Sequence, residues 1–138
     1  MRRTIDYSLK QIAMNDKLKM IVRLPLGLIL VAFGVNKFAG FMPMPEMQEV
    51  AMNFAGALGE TGYMYPFIGI IEIISGLMLL LNKNVPFALI LFAPVLLNIL
   101  LFHLVLDPAS IMFGAIVGIL WIILCFAYKD RIMNLMKS

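Results

Sequence analysis

Four stretches of the chain are almost wholly apolar: residues 19–38, 65–81, 85–106 and 109–128. A helix that crosses a bilayer needs about 20 mainly apolar residues, so each stretch predicts a membrane span, the second at the lower limit of length. The ends of these stretches carry helix signals. Asn84 is placed to cap the third span with Pro86 in its first turn, and Asp107 followed by Pro108 suits the opening positions of the fourth. Pro66 fits the first turn of the second span, whereas Pro94, inside the third, is expected to kink it. Tyr63, Tyr65 and Tyr128 fall where an aromatic belt at the membrane surface would lie. Helices satisfy their own backbone hydrogen bonds in lipid. The predicted fold class is therefore all-α: a polytopic four-transmembrane-helix bundle in one domain, 1–138, with 1–18 and 129–138 as flanking segments.

The segments outside the spans are patterned too. Between the first two spans, "GFMPMPEM" is broken by prolines, and residues 47–58 then place Met47, Val50, Ala51, Phe54 and Leu58 on one helical face. This predicts a short extracytoplasmic helix that lies at the outer surface or caps the bundle. Ahead of the first span, Ile5, Leu9 and Ile12 recur at helical spacing among basic residues. That suits a helix on the anionic inner leaflet, and a frayed basic tail fits the same pattern. The first apolar run is long and ends in "GVNKFAGFMPMP", not in a small-residue cleavage site, so it is expected to be retained.

Composition agrees with the pattern: 62% of residues are hydrophobic and 14% charged, against about 45–50% and about 25% in soluble domains. The formal charge of +3 matters less than its distribution. Of the eleven basic residues, Arg2, Arg3, Lys10, Lys17, Lys19, Arg23, Lys83, Lys129, Arg131 and Lys137 all fall on one side of a four-span topology. The other side has Glu46, Glu49, Glu60 and Asp107, with only Lys37 at its edge. The positive-inside rule then places both termini in the cytoplasm of a bacterial inner-membrane, multi-pass protein. One cysteine, Cys125, and one histidine, His103, exclude an intrachain disulfide, a CxxC pair and bis-histidine haem ligation, and make a His/Cys zinc site unexpected. No Gly-rich phosphate loop or soluble-domain Ser-His-Asp arrangement is present, and no feature suggests a nucleic-acid partner.

Within the spans, small residues form stripes. Arg23, Gly27, Leu30, Gly34 and Lys37 share one face of the first span; Gly69, Glu72 and Gly76 share a face of the second; Gly114 and Gly118 are continued by Trp121 and Cys125 in the fourth. Such glycines let helix backbones approach closely, and Cys125 reads as a small apolar residue. Glu72 lies about 10 Å below the outer interface and Asn98 about 12 Å below it. Lys37 and His103 lie near the outer ends of their spans, and Asn36 adjoins Lys37. These five residues are expected to form one outer-half layer from three helices. An ionised carboxylate in hydrocarbon must be paired, neutralised or facing water, and Lys37 is the partner for Glu72. Arg23 starts the same span about 21 Å lower and belongs to the cytoplasmic interface. The layer reads either as a polar pocket for a headgroup, quinone ring or proton, or as a buried ion pair that sets helix register. His103 also has Asp107 at i+4 and reads either as one half of a direct His–Asp contact at the membrane edge or as a catalytic residue. Asn98 and His103 are about 140° apart around an ideal helix, so they can line one pocket only from its sides or with help from a kink at Pro94.

The run "RLPLGLILVAFGVNKFAGFMPMP", followed by "FAGALGETGYMYPFIGIIEIISGLMLLLNKNVPFALILFAPVLLNILLFHLVLDP", resembles the DoxX family of small four-helix membrane proteins. The resemblance rests on Arg23, Gly34, Lys37, Pro43, Pro45, Glu72, Asn98 and His103, in order and spacing. It implies a four-helix integral membrane protein. Its relatives are associated with quinone-linked thiosulfate oxidation, oxidative-stress complexes or chaperoning of membrane receptors. No redox-active group is visible in this chain, so no cofactor is expected within it and enzyme activity of its own is not expected. The expected function is an accessory subunit that binds a partner, or a small hydrophobic molecule such as a quinone or lipid, through the outer layer. A membrane subunit of a quinone-linked oxidoreductase and a small transporter or proton pathway are the alternatives. Expected partners are the lipid bilayer, a membrane or extracytoplasmic protein, or further copies of the chain.

Overall fold

The first apolar run forms α1, Asp16–Ala39, which begins earlier than its hydropathy suggests. The reason is its cap: the Asn15 side chain accepts a hydrogen bond from the Leu18 amide at 2.9 Å, and Asp16 lies in the first turn. Gly40 ends the helix in the left-handed region, with φ of 60°, and its amide returns to the Asn36 carbonyl at 2.8 Å. The other elements are α2 (Glu49–Glu60), α3 (Met64–Leu80), α4 (Val85–Leu101) and α5 (Ile111–Ala127), with a final amphipathic helix α6 (Lys129–Met136). A π-turn, Phe102–Leu106, extends α4, and a single 3₁₀ turn, Pro108–Ser110, leads into α5. The computed structural model describes Arg2 and residues 15–137, and no strand occurs among them. The pattern of Ile5, Leu9 and Ile12 lies outside the described residues.

Three helical segments are long and apolar enough to cross a membrane: Asp16–Ala39, Val85–Leu106 and Pro108–Ala127. The α3 helix has 17 residues, and with α2 it forms a pair bent by 91°, which raises the number of spans to as many as four. Outward-facing side chains such as Leu28, Phe67, Ile119 and Phe126 are exposed and apolar around the molecule. Such a belt suits lipid and would be a liability in water.

The α1 and α3 helices run antiparallel and form the most extensive helix pair of the fold. Their contact depends on four glycines. A Cβ on Gly34 would stand 2.8 Å from the Gly69 carbonyl oxygen, and one on Gly69 would stand 2.9 Å from that of Gly34. Gly27 and Gly76 mirror this at 3.0 and 2.8 Å. Backbone thus meets backbone at two levels, where no other residue fits without displacement. Lipid supplies no hydrophobic drive between helices, so such close packing is a main source of their association. The remaining helices close around a core that includes Leu26, Leu79, Leu89, Phe92, Val117 and Leu124. The Trp121 indole donates to the Leu89 carbonyl at 3.0 Å and ties α5 to α4.

Several local expectations are revised. Asn84 does not cap α4: it adopts a left-handed conformation with φ of 47° and makes no side-chain cap bond. A capping side chain requires extended backbone at that position. Here Asn82 and Asn84, both at positive φ, instead make the tight reversal from α3 to α4 that asparagine tolerates. The helix is continuous through Pro94, and its end departs from α geometry, where the Asp107 amide bonds to the Phe102 carbonyl at 3.0 Å. The helix expected over 47–58 is displaced to Glu49–Glu60, and its inward face holds Ala51, Phe54, Ala55 and Leu58, whereas Val50 points outward. Phe54 packs on Phe102 with ring centroids 5.9 Å apart, so α2 lies over the π-turn end of α4. The Tyr65 hydroxyl donates to the Ala55 carbonyl at 2.8 Å and holds the bend between α2 and α3.

The seam carries a direct test. Gly34→Val should destabilise the protein by about 1–3 kcal/mol through overpacking, read as a lower unfolding midpoint in detergent. Gly56 has open space at its Cβ position, so Gly56→Ala should leave the midpoint unchanged or raise it by the equivalent of about 0.4–1 kcal/mol. Equal midpoints for the two variants would mean that the glycine seam does not hold α1 to α3.

Candidate functional site

The α1–α3 seam ends in an ion pair. The Lys37 ammonium lies 2.6 Å from Glu72 Oε2, with side-chain exposures of 18% and 4%. Gly69, one turn before Glu72, makes the approach feasible: a Cβ there would come within 3.2 Å of the Lys37 Cβ and 2.9 Å of the Phe38 ring. Lys37 sits in the last turn of α1, where a cation favours the helix dipole, and its ammonium is 3.5 Å from the Phe33 carbonyl of that turn. Glu72 is buried and engages Lys37 through Oε2 alone. An ammonium has three N–H donors, and two of them face Phe33 and Glu72, so one remains free.

Arg23 occupies the other end of the same seam. It is buried, and its guanidinium donates to the carbonyls of Leu79 and Leu80, the latter at 3.3 Å. Those carbonyls close α3: that of Leu79 also accepts from the Asn82 amide at 3.3 Å, and that of Leu80 is met by Arg23. Arg23 therefore caps α3, while Lys37 and Glu72 tie the opposite end.

The remaining polar residues do not join the pair in one layer. The Asn36 amide oxygen accepts from the Met42 amide at 2.8 Å and fixes the chain as it leaves α1. Asn98 is exposed on the outer face of α4 and has no side-chain hydrogen bond among the described residues. The expectation that it lines the pocket is corrected, because the α4 face turned to the core is taken by Phe92, Val95, Leu96 and Ile99. His103 forms a second cluster. Its Nδ1 is 2.9 Å from the Ser110 hydroxyl, which in turn donates to the Asp107 carboxylate. The expected direct contact between His103 and Asp107 is thus bridged by Ser110. A hydroxyl has one proton, so with that proton given to Asp107, the Ser110 oxygen accepts from Nδ1–H of His103.

Asp107 is buried, and Gly114 leaves room for the His103 ring, whose Cδ2 would stand 2.8 Å from a Cβ at that position. The neighbouring Gly118 faces Leu100, and Cys125 is half-buried. Phe33, whose carbonyl faces Lys37, packs on Phe113 beside Gly114 with ring centroids 4.8 Å apart. An aromatic contact therefore stands between the two polar clusters.

Sequence reasoning missed two serines. Ser110 lies three residues after the aspartate that opens the turn, a spacing at which a hydroxyl reaches back to the preceding polar group, and that was the available signal. Ser75 lies one turn along α3 from Glu72, is fully buried, and its hydroxyl has no partner among the described residues. Only its place beside Gly76 on the buried stripe could have pointed to it.

Apolar helices bound together by glycine contacts, with a buried ion pair and a buried arginine cap, define an α-helical membrane protein. The family model described as DoxX matches residues 18–104, which include the whole α1–α3 seam and both of its polar ends. The chain belongs to the DoxX family. No curated protein and no solved structure matches it.

Removing one partner of a buried pair typically costs about 3–5 kcal/mol, because the other charge is left alone. Glu72→Gln should therefore lower the thermal midpoint in detergent, and adding Lys37→Met in the same chain should restore part of it. A double variant as unstable as the sum of the singles would show that the two residues are not coupled.

Proposed function

We propose that the chain is a four-span protein of the bacterial inner membrane with both termini in the cytoplasm. In this reading it is an accessory subunit that binds a partner protein, or a small hydrophobic molecule such as a quinone or lipid, against the Lys37–Glu72 pair. The observation that carries this reading is the asymmetry of the pair. The Glu72 side chain is 4% exposed and meets Lys37 through Oε2, whereas the Lys37 side chain is 18% exposed and its ammonium has a donor to spare. A carbonyl or phosphate oxygen at the membrane surface is the natural acceptor for such a group. Membrane-embedded ionisable groups are functional candidates by default. Helix α2, bent across the same end of the bundle, would limit what can approach.

A proton pathway is the second reading, favoured by Ser75. Its unpartnered hydroxyl lies on the buried face of α3, one turn from Glu72 toward the Arg23 end. Proton flux into liposomes that depends on both Glu72 and Ser75 would support this reading over binding.

Two measurements test the proposal. Cysteines introduced one at a time between residues 41 and 63, in a Cys125→Ala background, should react with an impermeant maleimide in intact spheroplasts. Cysteines at 82–84 or beyond 129 should stay protected, and the reverse pattern would invert the topology. The second measurement uses the Glu72→Gln, Lys37→Met double variant, which keeps side-chain size while removing both charges. It should fold and insert, because neutralising a buried pair is often neutral for stability. It should also fail to rescue the phenotype of a deletion strain; full rescue would leave the pair with a purely structural role.

A further inference from the structure

Asn98 lies in the Val85–Leu106 span, eight residues before its end, about 12 Å into the apolar layer from that side. It is exposed, and its amide has no hydrogen-bond partner among the described residues. Its surroundings on α4 are apolar: Pro94 at i−4, Leu97 beside it, Leu101 at i+3 and Val105 at i+7 are all exposed. In lipid an amide without a partner costs several kcal/mol. A lysine could carry its polar end to the interface on a long stem, but the asparagine side chain is too short to do so. This stripe of α4 is therefore not satisfied by lipid alone.

We infer that the Pro94–Asn98–Leu101 stripe of α4 is a contact surface between two copies of this chain, with the Asn98 amides hydrogen-bonded to each other. The chemistry of the side chain selects this partner. A carboxamide holds both a donor and an acceptor, so an identical amide across a two-fold axis satisfies both. A two-fold axis along the membrane normal brings the same residue to the same depth in each copy, whichever way the chain is oriented in the membrane. A single asparagine among apolar neighbours pairs with its symmetry mate in this way in two-stranded coiled coils, where it sets register and copy number. The flanking Leu97, Leu101 and Val105 supply the apolar packing around it. The surface is separate from the Lys37–Glu72 pair and does not depend on the function proposed for it.

The test is cross-linking and association in membranes with the full chain carrying Cys125→Ala. Asn98→Cys and Leu101→Cys should each give an oxidised product of twice the chain mass, and Ile119→Cys, on the exposed face of α5, should not. In liposomes, energy transfer between labelled copies should report association. Asn98→Leu should weaken it by about 5- to 30-fold, the factor that corresponds to about 1–2 kcal/mol of interhelical hydrogen bonding. Asn98→Gln, which keeps the amide, should retain most of it. Neither variant removes a contact inside the fold, so loss of association would not reflect unfolding. The inference is overturned if the chain is monomeric at every protein-to-lipid ratio or if Ile119→Cys cross-links as well as Asn98→Cys. Unchanged association of Asn98→Leu would also overturn it, as would an adduct at position 98 with the mass of a different polypeptide.

Discussion

The close approach of α1 and α3 is the constraint on which the rest of the structure depends. Two glycine pairs set the backbone separation, and nothing larger fits at either level. Once the helices are that close, the polar residues at the two ends of the seam have little freedom. Arg23 meets the terminal carbonyls of α3, and Lys37 meets Glu72. Each contact removes a cost that lipid would impose, either bare carbonyls at a helix end or an unpaired carboxylate. The polar ends also oppose sliding of one helix along the other, because a shift of one turn would separate both at once. Dispersion holds the pair together, and charge sets its register.

The other helices close on this pair by a different route. Their buried faces are large and aliphatic, and the few directional contacts are single bonds, such as that from the Trp121 indole to the Leu89 carbonyl. Where α4 ends, regular helix gives way to a π-turn and a 3₁₀ turn, and the carbonyls and side chains freed there are used locally. Asp107, Ser110 and His103 form a chain of hydrogen bonds through the Ser110 hydroxyl, seated against Gly114. These bonds tie the turn between α4 and α5 together, and the Ser110 hydroxyl gives the buried Asp107 carboxylate a partner. The Lys37–Glu72 pair instead joins two helices across the seam, and its ammonium keeps a free donor. This difference, and not the mere presence of charge, distinguishes the candidate site from the structural cluster near it.

The helices of the four apolar runs, most of their ends, the loop helix before α3, the glycine stripes and the pairing of Lys37 with Glu72 were legible in the sequence; α6, in the tail, was not. Each follows from a property of one chain segment or from a cost that lipid imposes on a single residue: an apolar run must span, and a carboxylate in that run must find a cation. Only the tertiary structure decided which polar residues share a neighbourhood. Asn98 and His103 are five residues apart on one helix, yet one faces outward and the other turns inward to Ser110. Helical phase separates two positions, but it does not say which of them faces the core, and that choice went to the residues that fill space beside α3 and α5. Asn84 likewise has capping chemistry, but the tight reversal imposed a backbone conformation in which capping is impossible. Ser110 became a bridge only because the π-turn brought His103 over the first turn of the next helix. Local composition determined the elements and their charges; close packing between elements, which no single segment encodes, determined their partners.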